Sequence, residues 1–81
     1  MSKYYVDVQN GSDFTRDLKG LEAKDDAEAQ AYARKLLIAL ARDSKDKPDH
    51  VRLSAFVSDK RRVFLFQVDF SLDLNWSDQK G

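Results

Sequence analysis

The sequence predicts an α+β fold: a mostly antiparallel four-stranded sheet in the order β-β-α-β-β, with one helix packed on one face. Three observations carry this. Apolar and polar side chains alternate with a two-residue period near the start of the chain and again in two stretches towards its end, as half-buried strands do. Between them lies a single alanine- and leucine-rich stretch with helical spacing, opened by a capping signal. The chain has 81 residues, room for one core only, so these elements must share it and residues 1–81 read as a single domain.

The first strand runs over Tyr4–Gln9, with Tyr4, Val6 and Val8 on one side and Tyr5, Asp7 and Gln9 on the other. Asn10-Gly11 is the residue pair that most readily takes positive φ, so a turn follows, extended by Ser12-Asp13. Phe14-Thr15-Arg16 then returns as a short antiparallel strand, completing a hairpin. Asp17-Leu18-Lys19-Gly20 reads as a second turn closed by glycine, after which Leu21 points back to the core.

Asp25 is a good helix N-cap, and Glu28 stands three residues on, where its side chain can return to the cap's backbone N–H. From about Asp26 to Asp43, helical spacing places Ala29, Tyr32, Ala33, Leu36, Leu37 and Leu40 on one broad face, the core side. Asp26 and Glu28 at its start and Arg42 near its end suit the helix dipole. Ser44 to Asp49 is a polar connection punctuated by Pro48.

His50–Ser58 alternates again, with Val51, Leu53, Ala55 and Val57 facing inwards. Asp59-Lys60-Arg61-Arg62 makes a turn, and Val63–Leu74 follows as a long strand whose Phe64, Phe66, Val68 and Phe70 are expected in the core. Residues 75–81 are a polar tail carrying Trp76. Opposite the helix, the pattern leaves Tyr5, Phe56, Val63 and Leu65 on an open sheet face beside Asp7, His50, Arg52, Gln67 and Asp69.

Composition narrows the function. Fourteen basic side chains balance fourteen acidic ones, which disfavours a generic polyanion binder. The absence of cysteine excludes disulfides, thiolate nucleophiles, iron–sulfur clusters and Cys-type zinc sites. Met1 to Val8 shows no signal-peptide pattern, and the longest apolar run, Leu36–Ala41, is far short of a membrane span, so a cytoplasmic protein without a membrane partner is expected. No cofactor motif is present.

Catalysis has little to work with: His50 stands alone at a strand start, and nucleophilic chemistry needs an activated side chain beside a base. Asp7, Asp69 and Asp73 make a loose line of carboxylates along strands, whereas hard cations need converging oxygens; no metal site and no enzyme activity are expected. Residues 34–62 carry 9 basic and 4 acidic side chains, and Lys60-Arg61-Arg62 at a hairpin tip, with Arg52 and Phe56 near, is the only candidate nucleic-acid contact. Four large apolar side chains on an open sheet face are the stronger signal, because a solitary monomer seldom leaves such a patch wet. Tyr5, Phe56, Val63 and Leu65 therefore predict a non-enzymatic protein-interaction domain, self-associating as a homodimer through that face.

Three motif strings carry a resemblance: Tyr4-Tyr5-Val6-Asp7-Val8-Gln9-Asn10-Gly11, Arg16-Asp17-Leu18-Lys19-Gly20-Leu21-Glu22 and Asp26-Ala27-Glu28-Ala29. Together they resemble a domain-of-unknown-function family of small bacterial proteins, common in rhizobial-type genomes, with an aromatic-aromatic-x-Asp-Val opening and an alanine-rich helix. The resemblance brings no activity with it. This chain departs from the pattern at Lys60-Arg61-Arg62, where a glycine-containing turn is common, and in its phenylalanine-rich last strand. The hairpin and Asp-x-x-Glu-Ala helix start are also similar to HicB-type antitoxins, which implies toxin binding; the Pro-Asp-x-Pro-Gly string of those proteins is replaced here by Thr15 to Gly20. An antitoxin-like role, a phage-type inhibitor of a protein partner and a weak nucleic-acid-binding module are the alternative expectations.

Overall fold

The computed structural model describes residues 1–42 and 50–73 of the chain. Strand β1 (Ser2–Asn10) is followed by β2 (Asp13–Thr15), β3 (Leu21–Ala23), helix α1 (Asp26–Arg42), β4 (His50–Ser58) and β5 (Phe64–Asp73). The fold is α+β, with one helix against an antiparallel sheet ordered β2-β1-β4-β5, and β3 pairs with β1 as a fifth strand. The sequence predicts four strands; Leu21–Ala23 is too short to show a period, and it becomes a strand because its backbone meets Ser2–Tyr4. The expected connection at Ser44–Asp49 and the tail at 75–81 lie outside the described residues.

Strands β2 and β3 share one edge of β1. β2 pairs with Val8–Asn10 and β3 with Ser2–Tyr4, while Tyr5–Asn10 pair on the other edge with Ser58–Leu53 of β4. Between β2 and β3 the backbone N–H of Val6 donates to Oδ2 of Asp17 at 3.0 Å, so a side chain completes the ladder where no strand reaches. Asp17 Oδ1 also accepts from the N–H groups of Lys19 and Gly20, closing the second turn as an aspartate turn. Gly20 sits at φ 75°, and a Cβ there would lie 2.9 Å from the carbonyl oxygen of Tyr4, so glycine is required on both counts.

Asp25 caps α1 as its spacing predicts, accepting from the N–H of Glu28 at 2.9 Å. Glu28 reaches back one residue further than expected, to the N–H of Lys24 at 2.7 Å. The Tyr4 hydroxyl donates to Oδ1 of Asp26 at 2.7 Å and ties β1 to the start of the helix. This bond to a carboxylate, with burial, pushes the Tyr4 phenol up to about 12.

The core is small. Ala29, Ala33 and Leu37 of α1 pack onto Tyr4, Val6, Ala23, Leu53, Ala55 and Val57, all buried. Alanines at four-residue spacing bring the helix backbone close to the sheet, so the core layer is thin. The helix lies over β4 and β5 and touches β3. Tyr32, at 47% exposure, and Leu40, at 40%, are therefore on the predicted core face but not in the core.

A bulge interrupts the last hairpin. Val57 pairs with Phe66, but Ser58 pairs with Phe64, leaving Leu65 as the extra residue. Phe64 consequently moves to the side of Ser58, away from the parity of Phe66 and Phe70, and is 57% exposed. The expectation that Phe64 fills the core is corrected here: strict alternation holds only from Phe66 onwards.

Candidate protein-interaction surface

The sheet face away from the helix is organised around Arg62. Asp59 builds the turn before it: its carboxylate accepts from the N–H groups of Arg61 and Val63, and its carbonyl from that of Arg62 at 2.9 Å. The turn leaves Arg62 at φ 69°, a left-handed conformation for which glycine is the usual residue. The side chain held there crosses to β1. Nη1 lies 3.2 Å from Oδ1 of Asp7, Nη2 donates to the carbonyl of Asp17, and the guanidinium stands 3.8 Å from the centroid of the Tyr5 ring. Asp7 Oδ1 also accepts from the backbone N–H of Asp17 at 2.7 Å.

One arginine thus joins the β4–β5 turn to β1 and to the β2–β3 loop. Burial pushes the Asp17 carboxyl up, but the N–H groups of Val6, Gly20 and Lys19, followed by the charge of Arg62, outweigh it and hold the group below its ordinary range.

The four residues expected to form one open apolar patch are separated. Tyr5 is half-buried beneath Arg62, with Nζ of Lys3 5.5 Å from its ring. Phe56 is half-buried and meets Phe14 across the sheet, ring centroids 6.4 Å apart. Val63 is 55% exposed at the end of the turn. Leu65 is expected beside Phe56, but its place in the bulge puts it in a groove with Tyr4 and Asp26, at the start of the helix.

Of the basic cluster, Lys60 and Arg61 are exposed, whereas Arg62 is committed to Asp7. Asp69 is level with Ser54, two positions along β4 from Phe56, which stands opposite Asp7, so these two carboxylates do not converge. The side chain of Gln67 and the hydroxyl of Ser54 both donate to Asp69, holding its carboxyl below the ordinary range. The side chains of His50 and Asp73 and the whole of Trp76 lie outside the described residues. Among the described residues no three His, Cys, Asp or Glu side chains gather as a metal site would require, and no helix is long and apolar enough to cross a membrane.

Two apolar features escape the sequence pattern. On the helix side an open groove of about 640 Å³ runs between α1 and the β2–β3 loop, floored by Val6 and Val8 and walled by Leu21, Tyr32, Leu36 and Leu40. It exists because α1 sits over β4 and β5 and leaves β1 partly uncovered. The other is β5, the last strand of the sheet, whose outer edge pairs with no strand among the described residues. Its core-face residues Phe66, Val68 and Phe70 pack on the core yet are only half-buried, since nothing described stands outside them. Exposed phenylalanines at 64 and 14 mark where alternation was broken or the strand was too short to read.

No curated protein and no solved structure gives a match to this chain. The profile of one family does match, over residues 3–71, which takes in both hairpins, the helix and the Arg62 network. The chain belongs to that family, described as a domain of unknown function (DUF6894).

Proposed function

We propose that this protein is a non-enzymatic interaction domain that self-associates, and that the β5 side of the sheet is where it does so. The observation that supports this is the row Phe66, Val68 and Phe70: these residues face the core, yet each is half-buried beside a strand edge that pairs with no strand among the described residues. Free edges carry unpaired N–H and C=O groups, and natural sheets usually blunt them with prolines, lysines or short strands. β5 has ten residues, with neither proline nor lysine among them. Phe64 at 57% exposure, on the opposite face, and Val63 at 55%, just before the strand, are further exposed apolar side chains at its turn end. The use of the ionisable groups is consistent with this reading, because Asp7, Asp17 and Arg62 all serve to lock loops to strands.

The test is mass in solution by light scattering over a range of concentrations. Wild type is expected as a dimer, and Val63→Glu with Phe64→Glu as a folded monomer with unchanged circular dichroism, since both positions are exposed. A wild-type protein that stays monomeric at millimolar concentration removes self-association. Dimerisation undiminished in the double variant takes the contact away from the turn end of β5. Phe56→Glu, on the face away from the helix, serves as the comparison for association through the open face.

A further inference from the structure

We infer that two copies pair β5 to β5, antiparallel, about a two-fold axis through Val68, making one continuous sheet with both helices on the same face. This rests on the self-association proposed above and assigns its register. The stretch Phe66-Gln67-Val68-Asp69-Phe70 reads nearly the same from either end: an apolar residue, a polar one, a valine, a polar one, an apolar one. Antiparallel pairing about Val68 sets Val68 against its own copy and Phe66 against Phe70 of the second copy, all on the helix side. On the other side it sets Gln67 against Asp69 of the second copy. In the monomer Gln67 Nε2 already donates to Asp69 Oδ1 at 2.8 Å, so the same donor and acceptor can be exchanged between copies.

Neighbouring registers are worse for stated reasons. Centring on Asp69 sets two carboxylates directly opposite, which is destabilising. A centre between Gln67 and Val68 sets Phe66 against Asp69 and turns the two helices to opposite faces, so the half-buried phenylalanines gain no apolar neighbour. Centring on Phe66 draws the bulge at Leu65 into the pairing. The axis through Val68 uses five regularly paired residues, 66 to 70, keeps like charges apart and sets every member of the half-buried row against another, whereas an axis through Phe70 carries Phe66 past Asp73, the last residue of β5. It is a closed, isologous contact, which ends at two chains rather than growing into a filament.

The chain has no cysteine, so single-cysteine variants report the register directly. In this arrangement Val68→Cys places two thiols on opposite residues, within range of a disulfide after slight adjustment. Ser71→Cys, exposed on the same strand, places its thiols six residues out of step, about 20 Å apart. Under mild oxidation Val68→Cys should become a covalent dimer more than about tenfold faster than Ser71→Cys, because only the first pair meets disulfide geometry. If light scattering shows a dimer but Ser71→Cys links as fast, or Val68→Cys does not link, the register is wrong while self-association stands. If both variants and wild type are monomeric, the register and the self-association fall together.

Discussion

Arg62 holds a backbone conformation that favours glycine, so replacing it separates the energy of its side chain from that of its turn. Arg62→Gly relieves the left-handed φ of 69°, a gain of about 1 kcal/mol. Against this it loses a part-buried ion pair with Asp7 at 3.2 Å, about 1.5 to 3 kcal/mol for hydrogen bonds to a charged group. It also loses the guanidinium over Tyr5, worth about 1 kcal/mol at a half-exposed site. The net is a loss of about 2 kcal/mol. Arg62→Ala forfeits the same contacts and keeps the strained backbone, so it should be less stable than Arg62→Gly by about 1 kcal/mol. In a domain of this size each kcal/mol moves the melting temperature by about 4 to 8 °C, so the three proteins should melt in the order wild type, glycine, alanine, at well-separated temperatures. Arg62→Lys keeps the charge without the planar fork and should fall between wild type and alanine. Calorimetry and urea unfolding read the order. A glycine variant as stable as wild type would show that the network contributes no more than the strain of about 1 kcal/mol that it offsets, and an alanine variant above glycine would show that residue 62 does not hold positive φ.

The two turn glycines should behave differently. Gly11→Ala, at φ 63° with open space around its Cβ, should cost about 1 kcal/mol, whereas Gly20→Ala adds a clash with the Tyr4 carbonyl and should cost at least twice as much in urea unfolding. The lowered Asp17 carboxyl stabilises the fold above its unfolded value of about 3.9, and that stability is lost as pH falls through the lower folded value. The melting-temperature gap between wild type and Asp17→Asn should therefore narrow as pH is taken from 7 to below 4; a constant gap would mean that the charge of Asp17 is not what holds the loop. Leu37→Ala should cost about 2 to 5 kcal/mol because Leu37 is fully buried, while Phe64→Ala in dilute protein should cost less than about 1 kcal/mol. Unfolding of Phe64→Ala under those conditions would return Phe64 to the core and contradict the bulge.

What the chain states locally is borne out locally. The cap at Asp25, the span of α1, the turn glycines at 11 and 20 and the pleat of β1 and β4 each follow from neighbours a few residues apart, and such short-range chemistry is what spacing reports. The inward side of β1 and β4 was legible because a two-residue period has only two phases. Where the sequence reading stops short, a distant residue decides. Ala23 becomes part of a strand through Ser2, twenty-one positions away, and Arg62 reaches Asp7 across fifty-five.

The patch at Tyr5, Phe56, Val63 and Leu65 depended on alternation running unbroken through the last hairpin. One extra residue, Leu65, between Phe64 and Phe66 breaks the alternation and moves Phe64 to the opposite face, and no periodicity announces a bulge before the partner strand is in place. Likewise the helical stripe is legible at Ala29, Ala33 and Leu37, but its width and the strands beneath it are not. A stripe of alanines and leucines states that a helix has a buried side; only the packed sheet sets α1 over β4 and β5, buries Ala29, Ala33 and Leu37, and leaves Tyr32 and Leu40 at an open groove. Periodicity is a property of one element, whereas an edge, a groove or a bulge is a relation between two, and that relation comes into being only when the chain has closed on itself.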